Sequence, residues 1–200
     1  MPRDSGPKRQ QVRSRIAHQA ARIMAQDGIA DFGLAKRKAA HQAGLDDMRA
    51  LPTNEEVEEA LRAYQSLYQG EEQRKVLKHL REQALLIMRL LKDFNPHLTG
   101  SVLSGTAGRH SDVNLQLFVD SVKDVELFFL NRQIPYKRGE KRLYVGEELQ
   151  AIPMFTVEGE GAEVKITVFA TNDQRQALKT SLEGKPLERA RTVVVENLLQ

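Results

Sequence analysis

Apolar residues recur at helical spacing through the first half of the chain. Four segments show this pattern, and each ends at a glycine or at Asn95-Pro96: residues 10–26, 32–43, 53–69 and 71–94. The third segment has Thr53 or Asn54 as its N-cap residue, and acidic residues in its first turn complement the helix dipole. The first half of the chain is therefore predicted to be helical.

After Pro96 the pattern changes to short alternating segments, which are typical of strands. The predicted strands cover residues 98–103, 112–119, 134–137, 142–145, 152–158 and 163–169. Two further helices are predicted over residues 121–131 and 186–199, and turns over 138–139 and 158–161. The chain is thus predicted to have an α+β fold, with a helical N-terminal region (1–95) and a small mixed-sheet domain (96–200).

The composition is that of an ordinary globular protein: 40% of the 200 residues are hydrophobic and 28% are charged. The absence of cysteine excludes disulfides, a thiol nucleophile and cysteine-ligated metal sites. No segment is apolar enough over about 18–20 residues to span a membrane, and the N-terminus has no apolar core typical of a secretory signal. We therefore expect a cytoplasmic protein without a membrane partner.

The net charge of +3 conceals an uneven distribution. Residues 1–50 hold ten Lys and Arg against five Asp, whereas the other 150 residues hold 20 basic against 22 acidic residues. A basic segment favours contact with phosphate groups, and Lys36, Arg37 and Lys38 are the candidate nucleic-acid ligands. The alternative interpretation is a solvated helix face whose charges serve solubility.

The segment AKRKAAHQAGL (35–45) resembles the helix and turn of a TetR-type DNA-binding domain. The segment in the place of the recognition helix (46–56) is acidic and contains Pro52, which disfavours insertion into a DNA groove. A helix-turn-helix-like DNA-binding regulator is therefore an alternative function. The combination AKRKAA…GL…LPTNEEVEEAL also resembles a group of proteobacterial proteins, but that resemblance implies no activity.

The most informative segment is LTGSVLSGTAGRHSDVNLQLF (98–118). It places Gly100-Ser101 after a strand, then a ten-residue loop, then Asp112 and Asn114 on one side of the next strand. This arrangement resembles the nucleotidyltransferase superfamily, which has the polymerase-β-like fold, and the resemblance covers residues 96–170. In that family a Gly-Ser pair is followed by a carboxylate, an apolar residue and a second carboxylate, and a later strand supplies a third acid.

The resemblance implies a nucleotide site and a pair of Mg²⁺ ions that clamp the attacking and leaving oxygens. Asp112 would be the catalytic metal ligand, Asn114 its weak partner, and Glu163 a further metal ligand. The resemblance and the loop's cationic character also predict a set of nucleotide-binding residues: Gly100, Ser101, Gly105, Arg109 and Ser111.

The chain departs from the family pattern at two of the three acids. Asn114 stands at the second acid position, and Lys165 is expected at the third unless the strand register slips by two to bring in Glu163. A lysine beside Asp112 would pair with it rather than bind Mg²⁺. The sequence therefore favours a degenerate, weakly active or inactive nucleotidyltransferase-like protein that binds a nucleotide, a nucleic acid or a protein partner. The alternatives are an active Mg²⁺-dependent nucleotidyltransferase and a glycine-rich turn in which Asp112 only caps the strand.

Overall fold

The computed structural model describes residues 6–29, 31–44, 51–68, 70–181 and 184–200. The fold is mixed α+β, with helices in the N-terminal part and a seven-stranded mixed sheet after them, so the predicted fold class is confirmed. The chain divides into two compact units, Met1–Lys75 with Gly108–His110, and Val76–Ala107 with Ser111–Gln200. Each unit is described separately below.

The first unit contains the helices α1 (Gly6–Asp27), α2 (Phe32–Gln42) and α3 (Asn54–Tyr68). Thr53 caps α3: its Oγ1 accepts from the Glu56 amide at 3.2 Å, and its own amide donates to Glu56 Oε2 at 2.6 Å. This reciprocal pair is a capping box and explains why the helix begins here. The small core between the helices is built mainly of alanine with a few larger aliphatic residues, including Ile16, Ile23, Val57 and Leu61.

Helix α4 (Gly70–Leu90) crosses the division between the units, which falls at 75/76. The sequence places the change of pattern near residue 95, where a short 3-10 turn (Lys92–Phe94) follows α4. The two boundaries differ because the apolar side of α4 after residue 75 belongs to the core of the sheet, through Leu77, Leu80 and Met88 among others. No helix among the described residues is long and apolar enough to cross a membrane.

The second unit is organised around the sheet, and its further helices are α5 (Ser101–Ser104), α6 (Val122–Asn131) and α7 (Thr192–Asn197). The strands are β1 (His97–Thr99), β2 (Val113–Val119), β3 (Lys137–Val145), β4 (Glu148–Glu158), β5 (Glu163–Ala170), β6 (Leu178–Lys179) and β7 (Arg189–Arg191). Their order in the sheet is β6-β3-β4-β5-β2-β1-β7. The pair β2–β5 is parallel, and all the other pairs are antiparallel.

Four sequence predictions about elements were wrong in detail. The strand predicted over 134–137 is absent over 134–136, because β3 begins only at Lys137, where pairing with β4 starts. The strand predicted over 98–103 ends at Thr99, because Gly100 takes a positive φ of 77° and α5 follows at once. The turn predicted at 138–139 does not form, because residues 137–145 pair continuously with β4. The helix predicted over 186–199 is limited to α7, since residues 189–191 pair with β1 as β7.

The two faces of the central strands differ in character. Leu115 and Leu117 of β2 and Ile166 and Val168 of β5 are fully buried in the larger core, together with residues of α4 and α6. Alternation along β2 and β5 puts Asn114 and Lys165 on the opposite face, where the register makes them direct neighbours. The same row continues to Thr156 of β4. The candidate site therefore lies on the face opposite the larger core, called the polar face below, although Phe118 and Phe169 further along the same strands belong to a smaller hydrophobic cluster.

Candidate functional site

The Gly100-Ser101 turn connects β1 to α5 beside the start of β2. Thr99 pairs with Asn114, and a Cβ built on Gly100 would lie 3.6 Å from the Asn114 Nδ2 atom. Gly100 is exposed, and its positive φ is one that side-chain-bearing residues rarely adopt. The carbonyl of Ser101 accepts from three successive amides, those of Gly105, Thr106 and Ala107. The structure thus places the predicted Gly-Ser turn next to the predicted Asn114.

Asp112 and Lys165 form a close ion pair on the polar face. Lys165 Nζ donates to Asp112 Oδ2 at 2.5 Å, and the two side chains are 33% and 27% exposed. The parallel register explains the contact, because Lys165 is the β5 neighbour of Asn114 and its long side chain reaches back two residues along β2. The predicted pairing of a lysine at position 165 with Asp112 is therefore present in the structure.

The other two predicted oxygen ligands also have partners. Asn114 turns its amide nitrogen towards the Asp112 backbone carbonyl at 3.3 Å. Glu163 lies 3.7 Å from the Lys137 ammonium and 4.0 Å from that of Lys165. Within the part of the chain that the structure describes, no group of three or more His, Asp or Glu side chains could hold a metal ion. Each acid of the candidate site thus faces an ammonium group.

A further lysine belongs to the same face and was missed in the sequence. Lys141 of β3 is partly buried, and its pKa is lowered first by burial and then by the positive charge of Lys165. No salt bridge of Lys141 is found among the described residues. Sequence reasoning could not select it, because it lies in a run of alternating charges, KRGEKR, that is typical of an exposed strand. The face therefore carries more cationic character than the sequence indicated.

Magnesium prefers oxygen ligands, and in nucleotide-processing sites one or two carboxylates usually hold it. Here the single carboxylate at the first position is already bound to an ammonium group, and the second position is a neutral amide. The residues present do not fit a pair of Mg²⁺ ions.

The remaining predicted nucleotide-binding residues fall into two sets. Gly105 ends α5 with a φ of 87°, and Ser111 is partly buried just before Asp112, so both belong to the second unit. Arg109 groups with the first unit, where it forms a salt bridge with the exposed Glu72. The structure thus assigns Arg109 an acidic partner of its own.

The predicted nucleic-acid cations of α2 are largely engaged inside the first unit. Lys36 Nζ donates to the Pro52 carbonyl at 3.0 Å and to Asn54 Oδ1 at 2.7 Å, and burial lowers its pKa. Lys38 pairs with Asp27 at 2.6 Å, whereas Arg37 is exposed. Two of the three predicted cations therefore have partners within the first unit.

The structure does not contain a helix at the start of the described part of the predicted recognition segment. Residues 46–50, which begin the segment in place of the recognition helix, lie outside the described residues, as does Leu45 before them. The described residues 51–53 are not helical, and α3 begins at Asn54.

Comparison of the chain with protein-family models finds no matching family, and comparison with curated proteins finds no match.

Proposed function

We propose that the second unit is a nucleotidyltransferase-like binding domain that does not transfer nucleotides and that binds a nucleotide through its phosphates without divalent metal ions. One observation carries this proposal: the ammonium group of Lys165 lies 2.5 Å from Asp112 Oδ2, at the position where a metal ion would have to bind. An ammonium group supplies one positive charge. The two-metal mechanism instead uses two divalent cations, with four positive charges in all, which bridge the reacting oxygens.

Electrostatics oppose a metal ion at this position. Two unit charges about 4 Å apart interact with about 4 kcal/mol at an effective dielectric constant of about 20, so Lys165 would repel a divalent cation by about 8 kcal/mol, which cancels the attraction of Asp112 at the same distance. The nearby charge of Lys141 adds to this effect. A second carboxylate at position 114 would offset the repulsion, but Asn114 brings no charge.

The same charges suit a phosphate. Lysine ammonium groups bind phosphate oxygens by charge-assisted hydrogen bonds, and both Lys165 and Lys141 lie on the polar face without being fully buried. The exposed Gly100 has no side chain to keep a phosphate from the backbone of the turn. On binding, the Lys165 ammonium group would move from Asp112 to the phosphate oxygens. The positive charge of Lys141 would attract the phosphate further.

The first experiment tests for catalysis. The full chain is incubated with Mg²⁺ and each of the four labelled nucleoside triphosphates, with RNA and DNA primers as acceptors. We expect no transfer. Transfer that Asp112→Ala abolishes would overturn the proposal and restore the active-enzyme alternative.

The second experiment tests for binding by thermal melting with each nucleotide, in Mg²⁺ and in EDTA. We expect the same rise in Tm in both, because ligand binding to the folded state alone stabilises it. Lys165→Met should remove the rise, and the matched change Lys123→Met, on an exposed position of α6, should preserve it. If no nucleotide changes the Tm and the protein is isolated with a stable protein partner, the nucleotide proposal is overturned and the protein-interaction alternative is supported.

A further inference from the structure

An open groove of about 1240 Å³ runs along α1 in the first unit. One wall is a face of α1, the other is formed by α3, and the end of α2 closes one side. The lining includes the small side chains of Ala43, Ala60 and Ala63. None of the residues that line this groove belongs to the sheet site described above.

The α1 wall is basic and polar. Arg15, His18 and Arg22 are all exposed and line the groove, and the lining, as far as the structure describes it, includes no Asp or Glu. Neither arginine forms a salt bridge with another described residue, in contrast to Arg13, which pairs with Glu56 at 2.8 Å. Part of the excess positive charge of the N-terminal region therefore lies in this groove without an acidic partner, whereas Lys36 and Lys38 of α2 are bound within the unit.

The opposite wall is apolar and partly aromatic. Tyr64 and the strongly exposed Leu67, at 77% exposure, line it from α3. A hydrogen-bond chain crosses the groove: Arg22 Nε donates to Gln26 Oε1 at 3.0 Å, and Gln26 Nε2 donates to the Tyr64 hydroxyl at 3.0 Å. This chain holds the guanidinium and the ring in place and leaves the terminal nitrogens of Arg22 for a ligand.

We propose that this groove binds single-stranded nucleic acid, with Arg15 and Arg22 on the phosphates and Tyr64 and Leu67 against the bases. Arg15 and Arg22 are two helical turns apart, about 10.5 Å along the axis, which matches about three phosphates of a stacked strand. A cationic wall facing an apolar, aromatic wall is the arrangement by which proteins bind single strands. In a duplex the bases are stacked inside, so the apolar wall would have nothing to contact.

Glutamines complete the lining and add polar contacts of a suitable kind. Gln10 and Gln11 lie on the α1 wall with Ser14, where the amide groups offer both donors and acceptors to base edges. An acidic peptide would satisfy the arginines and could bond to these amides through its backbone, but its charged side chains would leave the apolar wall of Tyr64 and Leu67 uncovered. The single strand is therefore the occupant that uses both walls.

The test is fluorescence anisotropy of the full chain with labelled oligo(U) and oligo(dT) of about 12 nucleotides, within the usual site sizes. We expect binding that weakens as salt rises, with each lost phosphate contact lowering the log–log slope by about 0.7. Arg15→Glu with Arg22→Glu should weaken binding by about tenfold or more and lower the slope by about 1.4.

The matched control is Arg62→Glu with Arg74→Glu, which makes the same charge change on exposed residues of the first unit outside the groove lining. It should leave affinity within about twofold. If Arg15→Glu with Arg22→Glu reduces the helical circular dichroism signal, the variant Arg15→Gln with Arg22→Gln is used instead. It removes the same two positive charges without adding negative ones. Absence of binding, equal weakening by the control, or equal affinity for a duplex or for poly-glutamate would overturn the proposal. None of these outcomes bears on the nucleotide response of the sheet.

Discussion

Removing one partner of the Lys165–Asp112 pair is the most direct perturbation of the candidate site. Asp112→Asn removes the negative charge at nearly constant size, and Lys165→Met removes the positive charge and keeps most of the aliphatic side chain. The double variant removes both charges. Together with the unmodified chain, these variants form a double-mutant cycle that isolates the energy of the pair.

The exposure of the two side chains sets the expected magnitude. Fully exposed ion pairs contribute about 0.2–1 kcal/mol, whereas breaking a buried pair costs about 3–5 kcal/mol. Lys165 and Asp112 are 33% and 27% exposed and in close contact, so they lie between these cases. We expect a coupling free energy of about 1–2 kcal/mol.

Urea unfolding followed by far-ultraviolet circular dichroism measures this energy. With a slope of about 1–3 kcal/mol per molar urea, each single variant should lower the unfolding midpoint by about 0.5–1 M. The double variant should lose less than the two single losses combined. If the losses in unfolding free energy of the two single variants add up to that of the double variant within about 0.3 kcal/mol, the predicted coupling is refuted. The Lys38–Asp27 pair, which is 43% and 45% exposed, is a suitable comparison and should show a coupling below about 1 kcal/mol.

Three further predictions follow from the charges and caps of the fold. Asn114→Asp with Lys165→Glu changes the charge of this cluster by three negative units, so isothermal calorimetry with Mn²⁺ should show binding that the unmodified chain lacks; equal heats for the two would contradict this. Burial and the neighbouring arginines lower the pKa of His97 below its usual 6.5, so the unfolded state binds a proton more readily. Stability is then fully present above about pH 6.5 and falls by at most about 1.4 kcal/mol per pH unit below it; a His97→Gln variant with the same pH slope would contradict this. Thr53→Ala removes the capping box of α3 and should lower the unfolding free energy of the first unit by about 1 kcal/mol in urea titrations, whereas the exposed change Ser66→Ala should have little effect.

The helical half of the fold could be predicted because its signals are local. Asp31 caps α2 through the Leu34 amide at 2.5 Å, and a glycine follows soon after the end of the helix, so spacing and caps define the element. The strands were harder, because β3 is set by pairing with β4 rather than by its own alternation. Its Arg138-Gly139 step reads as a turn in sequence, yet a partner strand holds it extended.

Part of the candidate site could also be predicted, because alternation along a strand is a local signal. Alternation alone puts Lys165 and Glu163 on one face of their strand, and the parallel register with β2 then brings Lys165 to Asp112. Lys141 could not be found in this way, since β4 and β5 lie between its strand β3 and the strand β2 in the sheet, and the sequence alone does not give that order. The groove along α1 was equally hidden, because its second wall is a helix that begins well over twenty residues after α1 ends.

The strand order of the sheet has a consequence for how copies of this protein meet in concentrated solution. Within the described residues β6 covers only Tyr144 and Val145 of β3, so the stretch from Lys137 to Leu143 has one open edge. Open edges recruit strands from other molecules and so promote aggregation. Here the open stretch reads KRGEKR, which places four cations where a second copy would have to align. Like charges along that edge disfavour edge-to-edge pairing, so neutralising them should promote self-association through the sheet.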